Sequence, residues 1–109
     1  MEFNELLKFV ALERERLAKY TGKYDDNEKE IFARTVKVGE EFGELCQEVL
    51  FHANLQGKHK NEKFDKDNLA NEFADVIFST LLLAKDMNID IKKALENKMK
   101  KIEKRYENE

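Results

Sequence analysis

Four stretches of the chain repeat apolar residues at steps of three and four, the spacing that lines one face of an α-helix. The first covers about residues 2–20, with Phe3, Leu6, Leu7, Val10 and Leu17 on its stripe. The second covers about 28–56 and carries Ile31, Thr35, Val38, Phe42, Leu45 and Val49. The third covers about 67–87 and carries Leu69, Phe73, Val76, Thr80, Leu83 and Met87. From Phe73 to Ala84 it is apolar nearly all round, which predicts the most buried helix. The fourth covers about 91–106, with Ile91, Leu95, Met99, Ile102 and Tyr106 facing inward and a basic end suited to a helix C-terminus.

The breaks carry helix punctuation. Gly22 suits a C-terminal stop, and Asp26 or Asn27 the next N-cap. Residues 57–63 form a polar connector. Asn88 suits a stop and Asp90 an N-cap. The pattern predicts an all-α, four-helix bundle-like protomer, one domain over residues 1–109.

Composition narrows this further. The 109 residues include no Pro and 4 Gly, against a fold of many short strands joined by turns. A domain this small buries only about 60–68% of its unfolded surface, so association into oligomers is expected to complete its core. Lys and Arg number 20 and Asp and Glu 23, a net charge of −3. That balance argues against a duplex-binding surface. No apolar run reaches the roughly 18 residues of a membrane span. The start, Met1-Glu2-Phe3-Asn4-Glu5, is acidic where a secretion leader is basic. Cys46 is the one cysteine, so no internal disulfide forms, and a reducing cytoplasm is the expected compartment.

The charges are informative through their place beside the apolar stripes. With about 100° per residue and Val38 at zero, Glu41 falls at about −60°, Glu48 at about −80°, Lys37 at about −100° and Glu44 at about −120°. These four form a ridge along one edge of the core face, while Glu40 falls round the back of the helix. With Val76 at zero on the third helix, Glu72 falls at about −40° and Asp75 at about −100°. Asp75 is the one charged residue between Phe73 and Ala84. A lone buried carboxylate costs several kcal/mol, so something positive is expected to meet it. Two carboxylate pairs spaced i, i+3 on neighbouring helices can surround one point. Oxygen ligands without His or Cys suit Mg²⁺ or Mn²⁺ rather than Zn²⁺ or copper. On the fourth helix Lys98 and Arg105 flank the stripe, placed either to pair with these acids or to face a phosphate.

Glu40-Glu41-Phe42-Gly43-Glu44-Leu45, then Glu72-Phe73-Ala74-Asp75-Val76, resembles the EExxE…ExxD signature of the MazG-like nucleotide pyrophosphohydrolases. Positions 45–71 separate the two motifs, a gap that suits the family. The closing segment from Ala94 to Tyr106, with Lys98 and Arg105, resembles the Lys…Arg helix of that family. The resemblance covers roughly residues 30–106. It implies an all-α homodimer or homotetramer that hydrolyses a nucleoside triphosphate to the monophosphate and pyrophosphate. It implies Glu41, Glu44, Glu72 and Asp75 as catalytic metal ligands. Lys98 and Arg105 would contact phosphate, and Lys37 on the acidic ridge joins them as a substrate-side cation. Glu40 belongs to the signature but sits off the ridge, in a supporting place. Either Glu44 or Glu48 would take the proton of the attacking water.

Other residues favour plainer readings. A Gly-rich phosphate loop is absent, because Gly57-Lys58 would need glycine at position 52, which holds His52. His52 and His59 do not follow a Glu by three, so the ligand pairs of di-iron bundles are missing. Cys46 reads as packing. Gly39 and Gly43 suggest close approach of another helix. Tyr20, Tyr24 and Phe64 lie near loops where they could stack a base or simply pack. Lys58, Lys60 and Lys63 read as a solvated loop. The competing class is a non-catalytic helical interaction module that keeps the acids as a surface feature.

Overall fold

The computed structural model describes residues 1–20, 27–53 and 65–107. Among them the chain forms four helices and no strand: α1 (Phe3–Tyr20), α2 (Asn27–His52), α3 (Lys66–Asp86) and α4 (Ile91–Lys104). The expected Gly22 stop and Asp26 cap, with Tyr24, His59, Phe64 and the connector lysines, lie outside the described residues.

The ends of α3 show why the chain turns where it does. Asp65 caps its start, the side chain accepting from Asp67 N–H at 2.9 Å. At its end Asn88 takes a left-handed φ of 56°. Asn88 N–H donates to Lys85 C=O at 3.1 Å and Ile89 N–H to Ala84 C=O at 2.9 Å. This is a Schellman stop, which satisfies the last carbonyls of a helix. Asp90 then caps α4 at once by accepting from Lys93 N–H at 3.1 Å. The stop at Asn88 and the cap at Asp90 are those the sequence predicts.

α2 and α3 form the principal helix pair, and α1 packs on α3. Arg34 pairs with Asp86, and Glu41 lies beside Asp75, so α2 and α3 run antiparallel. Phe9 of α1 meets Phe78 edge to face at 5.8 Å, with Arg16 over the Phe9 ring. Asp86 is fully buried and ties three helices together: Arg14 of α1 donates Nε–H to one carboxylate oxygen, and Arg34 of α2 donates Nε–H to the other at 3.0 Å.

The aliphatic core of the described residues is small. Val10 and Leu81 are its buried hydrophobic residues. Burying one such side chain is worth about 1.5–3 kcal/mol, so these two leave much of the stabilisation to half-buried contacts and the ion triad. The radius of gyration is 17.5 Å, against about 13 Å for a compact domain of this size. The sequence places Leu95, Met99, Ile102 and Tyr106 inward, but all four are exposed, Met99 to 66%. α4 makes no extensive contact with the other helices. Its amphipathic face has no partner surface within the described chain. Gly39 and Gly43 also meet no neighbour: a Cβ added at either has nothing within 4 Å.

Candidate metal centre and adjoining cleft

Hydrophobicity alone would turn Val38, Phe42, Leu45 and Val49 of α2 into the seam with α3. The structure turns the helix further. Ile31, Arg34, Val38, Leu45 and Glu48 are half-buried and Glu41 is buried, at 7% exposure. Phe42 is 58% exposed, and Val49 is exposed with it. The inward face therefore centres on about −50° in the frame where Val38 is zero. α3 answers in kind. Glu72, Asp75, Ser79 and Asp86 lie inward, while Phe73 and Ile77 are about half exposed. Both helices present their acidic flank to the seam and their aromatic flank outward.

That rotation brings three carboxylates together. Glu41, Glu72 and Asp75 each offer an oxygen, all within 4.8 Å of one another. Glu41 Oε1 accepts from Lys37 Nζ at 3.0 Å, but Glu41 Oε2 is buried without a partner. Glu72 Oε2 is likewise buried and unpartnered. Asp75, for which the sequence demands something positive, has no ion pair among the described residues. Burial pushes the Glu72 carboxyl above its ordinary 4.5, and Glu44, Asp75, Glu41 and Glu48 push it the same way. The hydrogen bond to Glu41 raises the Lys37 ammonium, which Glu40, at 3.7 Å, and Glu44 also favour.

This donor set fits a hard divalent cation. Unpaired buried oxygens cost free energy, and three converging carboxylates repel one another. A small dication removes both penalties, and Mg²⁺ characteristically uses one or two carboxylates with water and phosphate completing the shell.

Other sequence candidates stand apart from these three. Glu44 is exposed and reaches Glu72 through charge rather than through the shared oxygen set. Glu48 is half-buried and also acts on Glu72. Glu40 is exposed and paired with Lys37, in keeping with its place round the back. Lys98 on α4 and Arg105, the residue that caps its end, are exposed, and no ion pair joins them to the acids among the described residues.

A cleft of about 350 Å³ runs from Glu41 and Asp75 past Lys37 and Ser79 to Arg34. Arg34, Arg14 and Asp86 are not among the residues that the sequence pattern singles out. The signal for two of them was present: on the helical wheel Arg34 of α2 and Asp86 of α3 fall on the same flanks as the acids. Arg14 carries no such signal, because only the docking of α1 on α3 brings it to Asp86.

The family model described as MazG-like matches residues 33–109, more than half of the chain, spanning every acidic residue of the centre. No curated protein and no solved structure matches significantly.

Proposed function

The chain belongs to the MazG-like family, and from that premise we propose that it is a Mg²⁺-dependent nucleoside triphosphate pyrophosphohydrolase. The reaction is (d)NTP + H₂O → (d)NMP + diphosphate, a reaction suited to clearing unwanted nucleotides from a cytoplasmic pool. One observation carries the reading: two buried, unpartnered carboxylate oxygens, on Glu41 and Glu72, beside Asp75. A purely structural seam would pair them, as the same helices pair Asp86 with two arginines.

Glu41, Glu72 and Asp75 would hold Mg²⁺ or Mn²⁺, with Glu44 at the rim as the fourth acid of the motif. A divalent cation there supplies charge neutralisation for the polyphosphate and acidifies water. Lys37, which pairs with Glu41 at 3.0 Å, would be freed by a cation on that carboxylate to contact the phosphate chain. Glu48, half-buried, and Glu44, exposed, are the two candidates to take the proton from the water that attacks the α-phosphorus. The bond from that phosphorus to the β-bridging oxygen breaks, and diphosphate leaves with the electron pair. Positioning and charge are what such phosphoryl chemistry chiefly requires.

Lys98 and Arg105 enter through assembly. Their helix exposes Leu95, Met99, Ile102 and Tyr106, a face that a homodimer or homotetramer would cover, bringing both cations to a neighbouring protomer's phosphates. An interaction module without catalysis also explains that face, but leaves Glu41 and Glu72 unexplained. Release of diphosphate from a panel of nucleotides with Mg²⁺ tests the proposal. A folded oligomer that turns over none of them overturns it.

A further inference from the structure

The cleft beside the carboxylate centre has a second end whose chemistry differs from the first. Its volume, about 350 Å³, lies within the roughly 300–1,000 Å³ of small-molecule sites. Leu17 of α1 and Phe78 and Leu82 of α3 give it apolar walls. Arg34 sits about 10 Å from Glu41 along α2, at a rise of about 1.5 Å per residue.

Arg34 is four-fifths buried, with its Nε–H fixed on Asp86 at 3.0 Å. Its second carboxylate partner, Glu30 Oε1, stands 3.9 Å from Nη2, beyond hydrogen-bond reach. An arginine has five N–H donors, so its four Nη hydrogens meet no acceptor among the described residues. The charges around it cancel: Arg14 and Arg34 against Asp86 and Glu30. This end of the cleft therefore lacks the surplus positive charge that would draw a phosphate. It offers planar donors between apolar walls. Ser79, which lines the same cleft, donates its hydroxyl hydrogen to Val76 C=O at 3.1 Å, leaving Oγ as an acceptor.

We propose that this end of the cleft is a nucleobase subsite in which Arg34 favours bases bearing a ring carbonyl (guanine, cytosine, uracil and thymine) over adenine. The flat ring lies between Leu17, Phe78 and Leu82. Its carbonyl oxygen accepts from the Arg34 Nη hydrogens, and Ser79 Oγ accepts a base N–H. Adenine has no carbonyl and offers the guanidinium only single ring-nitrogen acceptors, a poorer match for the planar fork of donors. Asp86 is a positioning residue, holding Arg34 through Nε. Leu17 and Arg14 lie outside the family-matched residues 33–109.

The inference rests on the nucleotide reading above, and its test separates the two. Calorimetric binding of dGMP, dCMP, dTMP and dAMP to the metal-free protein in EDTA reads the subsite without any hydrolysis. The three carbonyl-bearing nucleotides are expected to bind at least about tenfold more tightly than dAMP. Arg34→Lys keeps a cation on Asp86 but loses the planar fork. It is expected to bring the four within about threefold of one another, with dAMP unchanged and the melting temperature within a few degrees. In the wild type, the arginine side-chain N–H resonances are expected to shift with dCMP and not with dAMP, a readout that needs no variant. Equal binding of all four, a preference that survives Arg34→Lys, or no arginine shift overturns the inference. Inorganic diphosphate that binds the metal-free protein and is lost in Arg34→Lys also overturns it, making the end a phosphate site. Hydrolysis of all four triphosphates at equal kcat/KM overturns the subsite alone. Absent hydrolysis with the binding preference intact overturns the reaction alone.

Discussion

The α2–α3 seam buries carboxylates in two places, and their surroundings are opposites. At one, Asp86 accepts from two arginines contributed by α1 and α2. At the other, Glu41, Glu72 and Asp75 crowd within 4.8 Å with a single lysine at hand and two oxygens unpartnered. The α2–α3 seam and the side-chain type are shared. What differs is whether the chain supplies the countercharge. Where it does, the carboxylate is a structural clamp. Where it does not, two carboxylate oxygens are left open to a cation from outside.

The sharpest way to break this contrast is a single isosteric change at each place. Asp75→Asn is expected to lower diphosphate release by about a thousandfold, the several kcal/mol a metal contributes to such chemistry. Its folded stability without metal is expected to be unchanged or higher, as repulsion is relieved. Asp86→Asn is expected to do the reverse, costing about 3–5 kcal/mol of stability by leaving two guanidinium groups without their carboxylate. Chemical denaturation beside a steady-state assay reads both. Matching losses of stability in the two variants would erase the distinction.

Adding Mg²⁺ tests the unpaired side more gently. At about a hundredfold excess over Kd it is expected to stabilise the wild type by about 2.7 kcal/mol, seen as a rise in melting temperature. Glu72→Gln is expected to abolish that rise. A smaller effect follows from the Glu72 carboxyl, which burial and its acidic neighbours hold above 4.5. The folded metal-free protein binds that proton more tightly than the unfolded chain does. The resulting stability is full below about pH 4.5 and is lost as pH rises through the raised folded value. Mg²⁺ affinity is expected to run the other way, increasing with pH as the proton leaves. Denaturation at several pH values, with and without Mg²⁺, reads both slopes.

The smallest expected change in protomer stability concerns α4. Met99→Gln alters a side chain with no partner in the described chain, and is expected to shift protomer stability by no more than about 0.5 kcal/mol. Sedimentation is expected to show a weaker oligomer, and diphosphate release is expected to fall with it if Lys98 and Arg105 serve a neighbour's site.

Much of the centre was legible in the order of residues. Asp75 stands alone among apolar neighbours, and the two acidic motifs fall on matching flanks of their helices. The pairing around Asp86 was legible only in the shared flank of Arg34 and Asp86; which residues meet there was not, because Arg14 and Arg34 lie 72 and 52 residues away from it. No local pattern encodes contacts at that separation.

The sequence by itself determined four amphipathic helices, the Asn88 stop, the Asp90 cap and the acids that share a flank. These follow from local hydrogen bonding and from periodicity, which a linear pattern contains. Only the tertiary structure decided the rotation of α2 and α3, about 50° from the apolar direction on α2, that puts Glu41 in the seam and Phe42 outside it. Periodicity reports which face prefers to leave water. Which flank of that face is buried depends on partners, and here the Asp86 clamp and the docking of α1 set it. The same dependence left the apolar stripe of α4 exposed, because its partner surface is absent from the described chain.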